Sequence, residues 1–295
     1  MVKGGRAHRL IGMAEIRQRR GYDLHTHSVY SDGTTRPEQI AREAAALGLD
    51  GFALTDHDTI DGWDEARAAA AAAGIGFLPG IEITTKHNER SRHLLAYGID
   101  PTAGELFAAL ATVRRARLER AREMVRRVSL DFAIRWEDIV GEEDGRTVGR
   151  PHIADALVTA GYYPDRGTAF TEALYPGSKY YIGTYAIETI DAIALVAAAG
   201  GRSVLAHPAA NRQRRAADVA SVRELTEAGL WGIELDHPEN RVDWMPPLVA
   251  AAAELGLQHT GSSDYHGAGK ANLLGAFTTP AAVVDRLRDG LAVPF

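Results

Sequence analysis

The 295-residue chain has no cysteine. That excludes disulfides and thiolate zinc sites, so any metal must be held by His, Asp and Glu. No run of 18 apolar residues occurs, which leaves no candidate membrane span. Nor is there an excess of positive charge: 33 Lys and Arg stand against 39 Asp and Glu, for a net charge of -6. Duplex-DNA binders carry a basic footprint, so duplex binding is not expected, although a local basic groove is compatible with this balance. The first 20 residues, MVKGGRAHRLIGMAEIRQRR, are basic but lack the apolar core of a signal peptide. They read as a tail or short helix, and the expected location is the cytoplasm, with no obligatory protein partner evident.

What is present is an alternation of short apolar runs with alanine-rich helical patterns from residue 21 onward. YDLHTHS reads as a strand entering a loop, and TRPEQIAREAAALG as a helix. Thr35 and Glu38 fit a capping box, with Pro37 in the first turn and Gly48 as the stop. GFALTDHDT, GFLPGIEIT and RHLLAYGI read as further strands, and DEARAAAAAAG as a helix ending at Gly74. The pattern resumes with SVLAHP, WGIELDHP and LQHTGSSDYHG, each preceded by a helix. Repeated βα units predict a mainly parallel sheet, as a barrel or an open α/β sheet.

The middle differs. GELFAALATVRRARLERAREMVRRV predicts one long helix with a stripe at Leu106, Leu110, Val113, Ala121, Met124 and Val128. Its seven arginines between 114 and 127 read most simply as a solvated face, with a phosphate-binding surface as the rival. We expect residues 101–185 to form a mostly helical insertion over the active site, between 21–100 and 186–295 of the main domain, with 1–20 as a tail.

In parallel α/β folds, sites gather at the carboxyl ends of strands. Here the apolar runs end in His25 and His27 (with Asp32 in the loop that follows), His57, Glu82, His93, His207, and Asp264 with His266. Alternation along an extended strand puts i and i+2 on one face, so His25 and His27 can share an ion, and Asp264 and His266 have the same spacing. Nitrogen and oxygen donors without sulfur suit Mn, Zn or Fe. Nine donors exceed the needs of one tetrahedral ion, so a cluster of two or three divalent ions is expected. Such clusters suit hydrolysis.

DLHTHSVYSDG, ALTDHDT, GIEIT, RHLLAYGI, LAHP and GSSDYHG together resemble the ordered motifs of the PHP (polymerase and histidinol phosphatase) family, over about 21–100 and 185–270. The resemblance implies a distorted (β/α)7 barrel with a metal cluster at the carboxyl ends of its strands. It implies one ion on His25, His27, Glu82 and Asp264, a second on Glu82, His93 and His207, and a third on Asp32, His57 and His266. GRPHIADALVTAG and PGSKYYIG resemble the inserted motifs of the stand-alone, TrpH-like phosphoesterase branch. Arg150, His152 and Lys179 are thereby candidate phosphate contacts, with Arg212 after AHP as a further one. Arg150 offers a bidentate fork and Lys179 a point charge. Arg150, His152 as donor or general acid, and His266 are the candidate catalytic groups.

That branch implies a phosphoesterase acting on nucleotide esters: 3′,5′-bisphosphonucleotides, nucleoside monophosphates or short 5′-phosphorylated single-stranded RNA. The rival within enzymes is a histidinol-phosphate phosphatase, and the rival of another class is a non-catalytic metal-binding module. His8, His87 and His259 match no motif. His237, at the end of ELDHP, is a candidate for substrate contact or for orienting a ligand.

Overall fold

The protein is described by a computed structural model covering residues 21–140, 147–211 and 215–291. The N-terminal tail and Arg212 lie outside the described residues. In chain order the elements are β1 (Tyr22–Asp23), α1 (Pro37–Ala46), β2 (Gly51–Leu54), α2 (Trp63–Ala73), β3 (Gly76–His87) and β4 (Arg90–Tyr97). Then come α3 (Gly104–Val128), α4 (Glu137–Val140), α5 (Arg150–Thr159), α6 (Arg166–Glu172), β5 (Ile187–Glu188), α7 (Thr189–Ala198) and β6 (Arg202–Leu205). The chain continues through α8 (Val219–Glu227), β7 (Gly232–Asp236), α9 (Met245–Leu255), β8 (Gln258–Gly261) and α10 (Ala281–Arg288).

The main sheet runs in the order β1-β2-β3-β4-β6-β7-β8, with β5 beside β3. Chain beyond β8 folds back on β1. Tyr265 N donates to His25 O at 3.3 Å, His27 N donates to Tyr265 O at 2.8 Å, and Tyr22 and Thr279 exchange two bonds of 2.8 Å. The sheet is therefore a nearly closed, distorted (β/α)7 barrel. The sheet is mainly parallel, as expected; the exception is β4, which is antiparallel to both β3 and β6. The reason is local. Asn88 and Glu89 both adopt positive φ (50° and 57°), the two-residue hairpin turn whose twist matches the strands it joins.

The helix expected from TRPEQIAREAAALG forms, but not with the expected cap. Its N-cap is Arg36, extended as the residue before proline must be, and no side chain caps the turn. Thr35 Oγ1 instead lies 3.2 Å from the Tyr265 hydroxyl. Gly74 closes α2 in the left-handed conformation, φ 72°, as its position predicts.

Helix α3 belongs to two cores. Leu106, Leu110 and Val113 pack into the barrel's apolar cluster with Ile81, Ile83 and Leu205. Ala121, Met124 and Val128 belong to a second cluster with Ile153, Leu157 and Leu174. Its arginines are not simply a solvated face. Arg114 donates to Asp58 O, Arg117 to Thr84 Oγ1, and Arg120 to Ile182 O, at 2.7, 2.6 and 2.7 Å.

Tight β1-β2-β3 packing gives a stability test. A Cβ on Gly51 would fall 2.3 Å from Tyr22 Cε1 and 2.4 Å from Gly76 O, a backbone atom held in the sheet. Gly51→Ala is expected to cost about 3 kcal/mol and lower the melting temperature by roughly 5 °C, measured by thermal unfolding.

Candidate metal centre

Glu82 is the node of the cluster because β3 changes partner there. Its first residues, Gly76–Pro79, pair with β2, and from Gly80 onward it pairs with β4. At the crossover Glu82 bridges to His57, at the end of the β2 run. Thr84 is in register with His93, so His93 is the diagonal cross-strand neighbour of Glu82.

The buried carboxylate meets five imidazoles. Glu82 Oε1 is 2.7 Å from His93 Nδ1 and 3.1 Å from His207 Nε2. Oε2 is 3.3 Å from His25 Nε2, 3.1 Å from His27 Nε2 and 3.1 Å from His57 Nδ1. Asp264 Oδ1 is 3.4 Å from His25 Nε2 and 3.3 Å from His27 Nε2. Asp32 faces His266 Nε2 at 3.2 Å, His27 Nδ1 at 3.7 Å and His57 Nε2 at 3.8 Å. The donors converge in groups: His25, His27, Glu82 and Asp264; His27, Asp32, His57 and His266; and His57, Glu82 and His93. His207 joins through Glu82, its ring 5.2 Å from that of His93. The sequence thus placed nine donors in six separate stretches, and the barrel brings all nine together.

The chemistry of this set fits divalent ions. His25 Nε2 and His27 Nε2 stand 3.1 Å apart in a fully buried position, and His57 Nδ1 is buried without a hydrogen bond. Imidazole nitrogens and carboxylate oxygens crowded into one buried pocket are what a cation orders. His207 and Asp264 also hold positive φ, 27° and 53°, strain of the kind that clusters at functional sites. Access is from one side: the His93 side chain is 21% exposed, whereas His25 and His27 are at 0%.

Metal-free electrostatics follow from the crowding. Burial opposes charge on every group. The fields of Glu234, Glu82 and Asp264 nonetheless outweigh it at His25 and hold its pKa well above the usual value. Burial likewise works against ionising Glu82, yet His93, His57 and His25 hold its pKa well below the carboxylate range. Burial drives His57 well below its usual value.

Residues around the donors orient them. His25 Nδ1 is 3.1 Å from Glu234 Oε1, and Glu234 Oε2 accepts from His207 N at 2.8 Å. Asp56 takes Ser28 N and Oγ and Ser31 Oγ, which shapes the loop before Asp32. Asp58 takes Thr84 N and Oγ1. Sequence reading missed Glu234, whose one signal is a lone acid inside an apolar strand. It also missed Lys270, whose Nζ is 2.5 Å from Asp264 Oδ2 and which carries no signal. His237 Nε2 is 3.4 Å from Asp264 Oδ2, beside the cluster. His87 and His259 pair elsewhere, with Glu224 and Asp236; His8 lies outside the described residues.

Both carboxylate oxygens of Glu234 accept, and an amide has one acceptor only, so Glu234→Gln would set an N–H against His25 or His207 N. Substitutions of such orienting carboxylates typically cost 10–100-fold. Metal affinity of Glu234→Gln, read by calorimetric titration with Mn²⁺, is expected to fall by about that factor.

Of the expected phosphate contacts, Arg150 lies over the Phe170 ring at 4.6 Å and Tyr181 at 5.8 Å, and donates to Leu174 O at 3.2 Å. Arg120 lies over the same Tyr181 ring, at 5.4 Å. Burial, then the fields of Arg150 and Arg117, lower the Arg120 pKa to about 10, so positive charge is concentrated here. Lys179 is exposed and paired with Asp131 at 2.9 Å. His152 accepts from Gly149 N through Nδ1, and its Nε2 is 2.9 Å from Ser31 O.

A distorted barrel with this buried cluster of His, Asp and Glu has the make-up of a metal-dependent hydrolase. The PHP domain family model matches residues 23–132. A 3′,5′-nucleoside bisphosphate phosphatase of Chromobacterium violaceum is 35% identical over 84% of this chain and 88% of its own length. A 5′-3′ exoribonuclease of Haemophilus influenzae is 32% identical, covering 83% and 89%. A crystal structure from Bifidobacterium adolescentis, assigned as a metal-dependent phosphoesterase, superimposes with a TM-score of 0.88 at 42% identity, over 91% of this chain and 95% of that one. The chain belongs to the PHP family, and it is a hydrolase of phosphoric esters.

Proposed function

We propose that the protein hydrolyses nucleotide phosphate esters: 3′,5′-bisphosphonucleotides, nucleoside monophosphates or short 5′-phosphorylated RNA. The observation that carries this reading is the convergence of nine donors around Glu82 and Asp32 beside a concentration of half-buried arginine. In it, His25, His27, Glu82 and Asp264 hold one divalent ion; Glu82, His93 and His207 a second; and Asp32, His57 and His266 a third. The candidate ions are Mn, Zn and Fe. Bound metal lowers the pKa of water and neutralises charge on phosphorus oxygens.

This chain's residues do the rest. Glu82 and Asp264 keep the imidazole lone pairs aimed inward, and Glu234 fixes the orientation of His25. Arg150 presents a planar fork, held by Phe170 and Tyr181, to non-bridging phosphate oxygens. The segment 101–185 supplies that fork and covers the open edge at His93. Lys179 contributes only when its pair with Asp131 opens. Substrate names of the relatives support the nucleotide class.

The test is a screen of metal-reconstituted protein against 3′,5′-bisphosphates, mononucleotides, 5′-phosphorylated oligoribonucleotides and histidinol phosphate. Turnover of the nucleotide substrates is expected. Turnover of histidinol phosphate alone, or of none, would overturn the proposal.

A further inference from the structure

Three consecutive carbonyls of the loop carrying Asp32 face donors from 147–166. Thr147 N donates to Tyr30 O at 3.2 Å. His152 accepts from Gly149 N at Nδ1, which puts its hydrogen on Nε2, 2.9 Å from Ser31 O. Arg166 Nη1 and Nη2 reach Asp32 O at 3.4 and 3.5 Å.

Those last two bonds are long, and the position of Arg166 depends on firmer contacts. Its Nε and Nη2 form a fork on Asp155 Oδ1 and Oδ2 at 2.7 and 2.5 Å. Its guanidinium also packs on Gly269, where a Cβ would fall 2.5 Å from Nη1. Gly269 ends the turn that begins directly after His266. The side chain, 11% exposed, is thus wedged between the two loops that bring Asp32 and His266 to 3.2 Å.

We infer that Arg166, anchored by Asp155, is a positioning residue for the ion held by Asp32, His57 and His266. Docking of α5 and α6 on the barrel thereby sets the affinity of that one metal position. The inference rests on the metal reading of Asp32 proposed above. It requires arginine rather than charge alone, because only a planar fork can grip Asp155 with two nitrogens while lying flat on Gly269.

The test is equilibrium dialysis against Mn²⁺ with metal counted per chain, for wild type, Arg166→Ala, Arg166→Lys, Asp155→Asn and Asp32→Ala. Both Arg166 variants and Asp155→Asn are expected to bind one ion fewer where wild type saturates. The missing ion should return at about 10–100-fold higher Mn²⁺. In the metal-free chain the amides of Ser31 and Gly33, both bonded to Ser28 O, should exchange faster in these variants. Loss of an ion in Asp32→Ala beside wild-type curves in the Arg166 variants would overturn the clamp alone. A wild-type curve in Asp32→Ala would remove the metal reading and the clamp together. If Arg166→Ala does not fold, Arg166→Lys and Asp155→Asn decide: one ion fewer supports the clamp, and wild-type binding in both overturns it.

Discussion

Glu82→Gln is expected to lower kcat by about 10³-fold, with little change in KM, and to reduce the number of Mn²⁺ ions bound per chain. The argument is one of donor count. The carboxylate offers oxygen at both positions, and five imidazole nitrogens lie within 3.3 Å of it. A glutamine of the same size keeps one acceptor and turns two hydrogens toward rings that must present lone pairs to an ion. The rings lie in a buried pocket where a misdirected N–H is costly, so the loss falls on metal retention and hence on the chemical step. Steady-state kinetics and metal counting on the same sample check it. A variant with full metal content and full kcat would show that Glu82 is not the bridge.

Removal of metal is expected to abolish activity and to expose a pH dependence that the loaded protein lacks. In the metal-free chain burial disfavours charge on His27, but hydrogen bonds to Asp264 and Glu82 and the field of Asp32 prevail, raising its pKa to about 9. Folding therefore favours protonated His27. That contribution is complete below the unfolded value of about 6.5 and is lost as pH rises through about 9, a loss of about 3 kcal/mol. His266 has the opposite sign. Burial, then Lys270 and His27, lower its pKa to about 4. Its contribution is complete above about 6.5 and is lost as pH falls through about 4. Burial works against ionising Asp32 and Asp264 too, but neighbouring cations hold both well below the carboxylate range, so acid also removes their contributions.

Metal-free protein should thus melt highest near pH 6.5 and lower on either side. Metal displaces the His27 proton, so the loaded protein should not show the alkaline decline, and Mn²⁺ binding at pH 7.5 should release protons. Melting curves across pH with and without chelator test the first point. Calorimetry in buffers of different ionisation enthalpy tests the second. Identical pH profiles for the two forms would contradict the assignment of His27 as a ligand.

The donor types and their order along the chain were legible in the sequence because strand ends are local features. A strand of alternating side chains that stops at His25 and His27 puts both rings on one face whatever surrounds it. The βα alternation, the long α3 and the cap at Gly74 follow from the same local periodicity and turn chemistry, which left barrel and open sheet equally allowed; the barrel came from the family resemblance. The capping box at Thr35 failed because a distant residue, Tyr265, competes for that hydroxyl. The direction of β4 was missed because it depends on two positive φ angles at Asn88 and Glu89, residues with no glycine to announce them.

The sequence by itself determined the cysteine-free donor set and the βα frame that carries it. Only the tertiary structure decided that Glu82 sits at a strand crossover facing five imidazoles and that Glu234 orients His25. It alone set the arginines of α3 against barrel loops, and Arg166 between the Asp32 and His266 turns. These are contacts between residues up to 209 positions apart, as for His25 and Glu234. Contacts across such separations leave no periodic mark in the chain, because closure of the sheet rather than local propensity creates them.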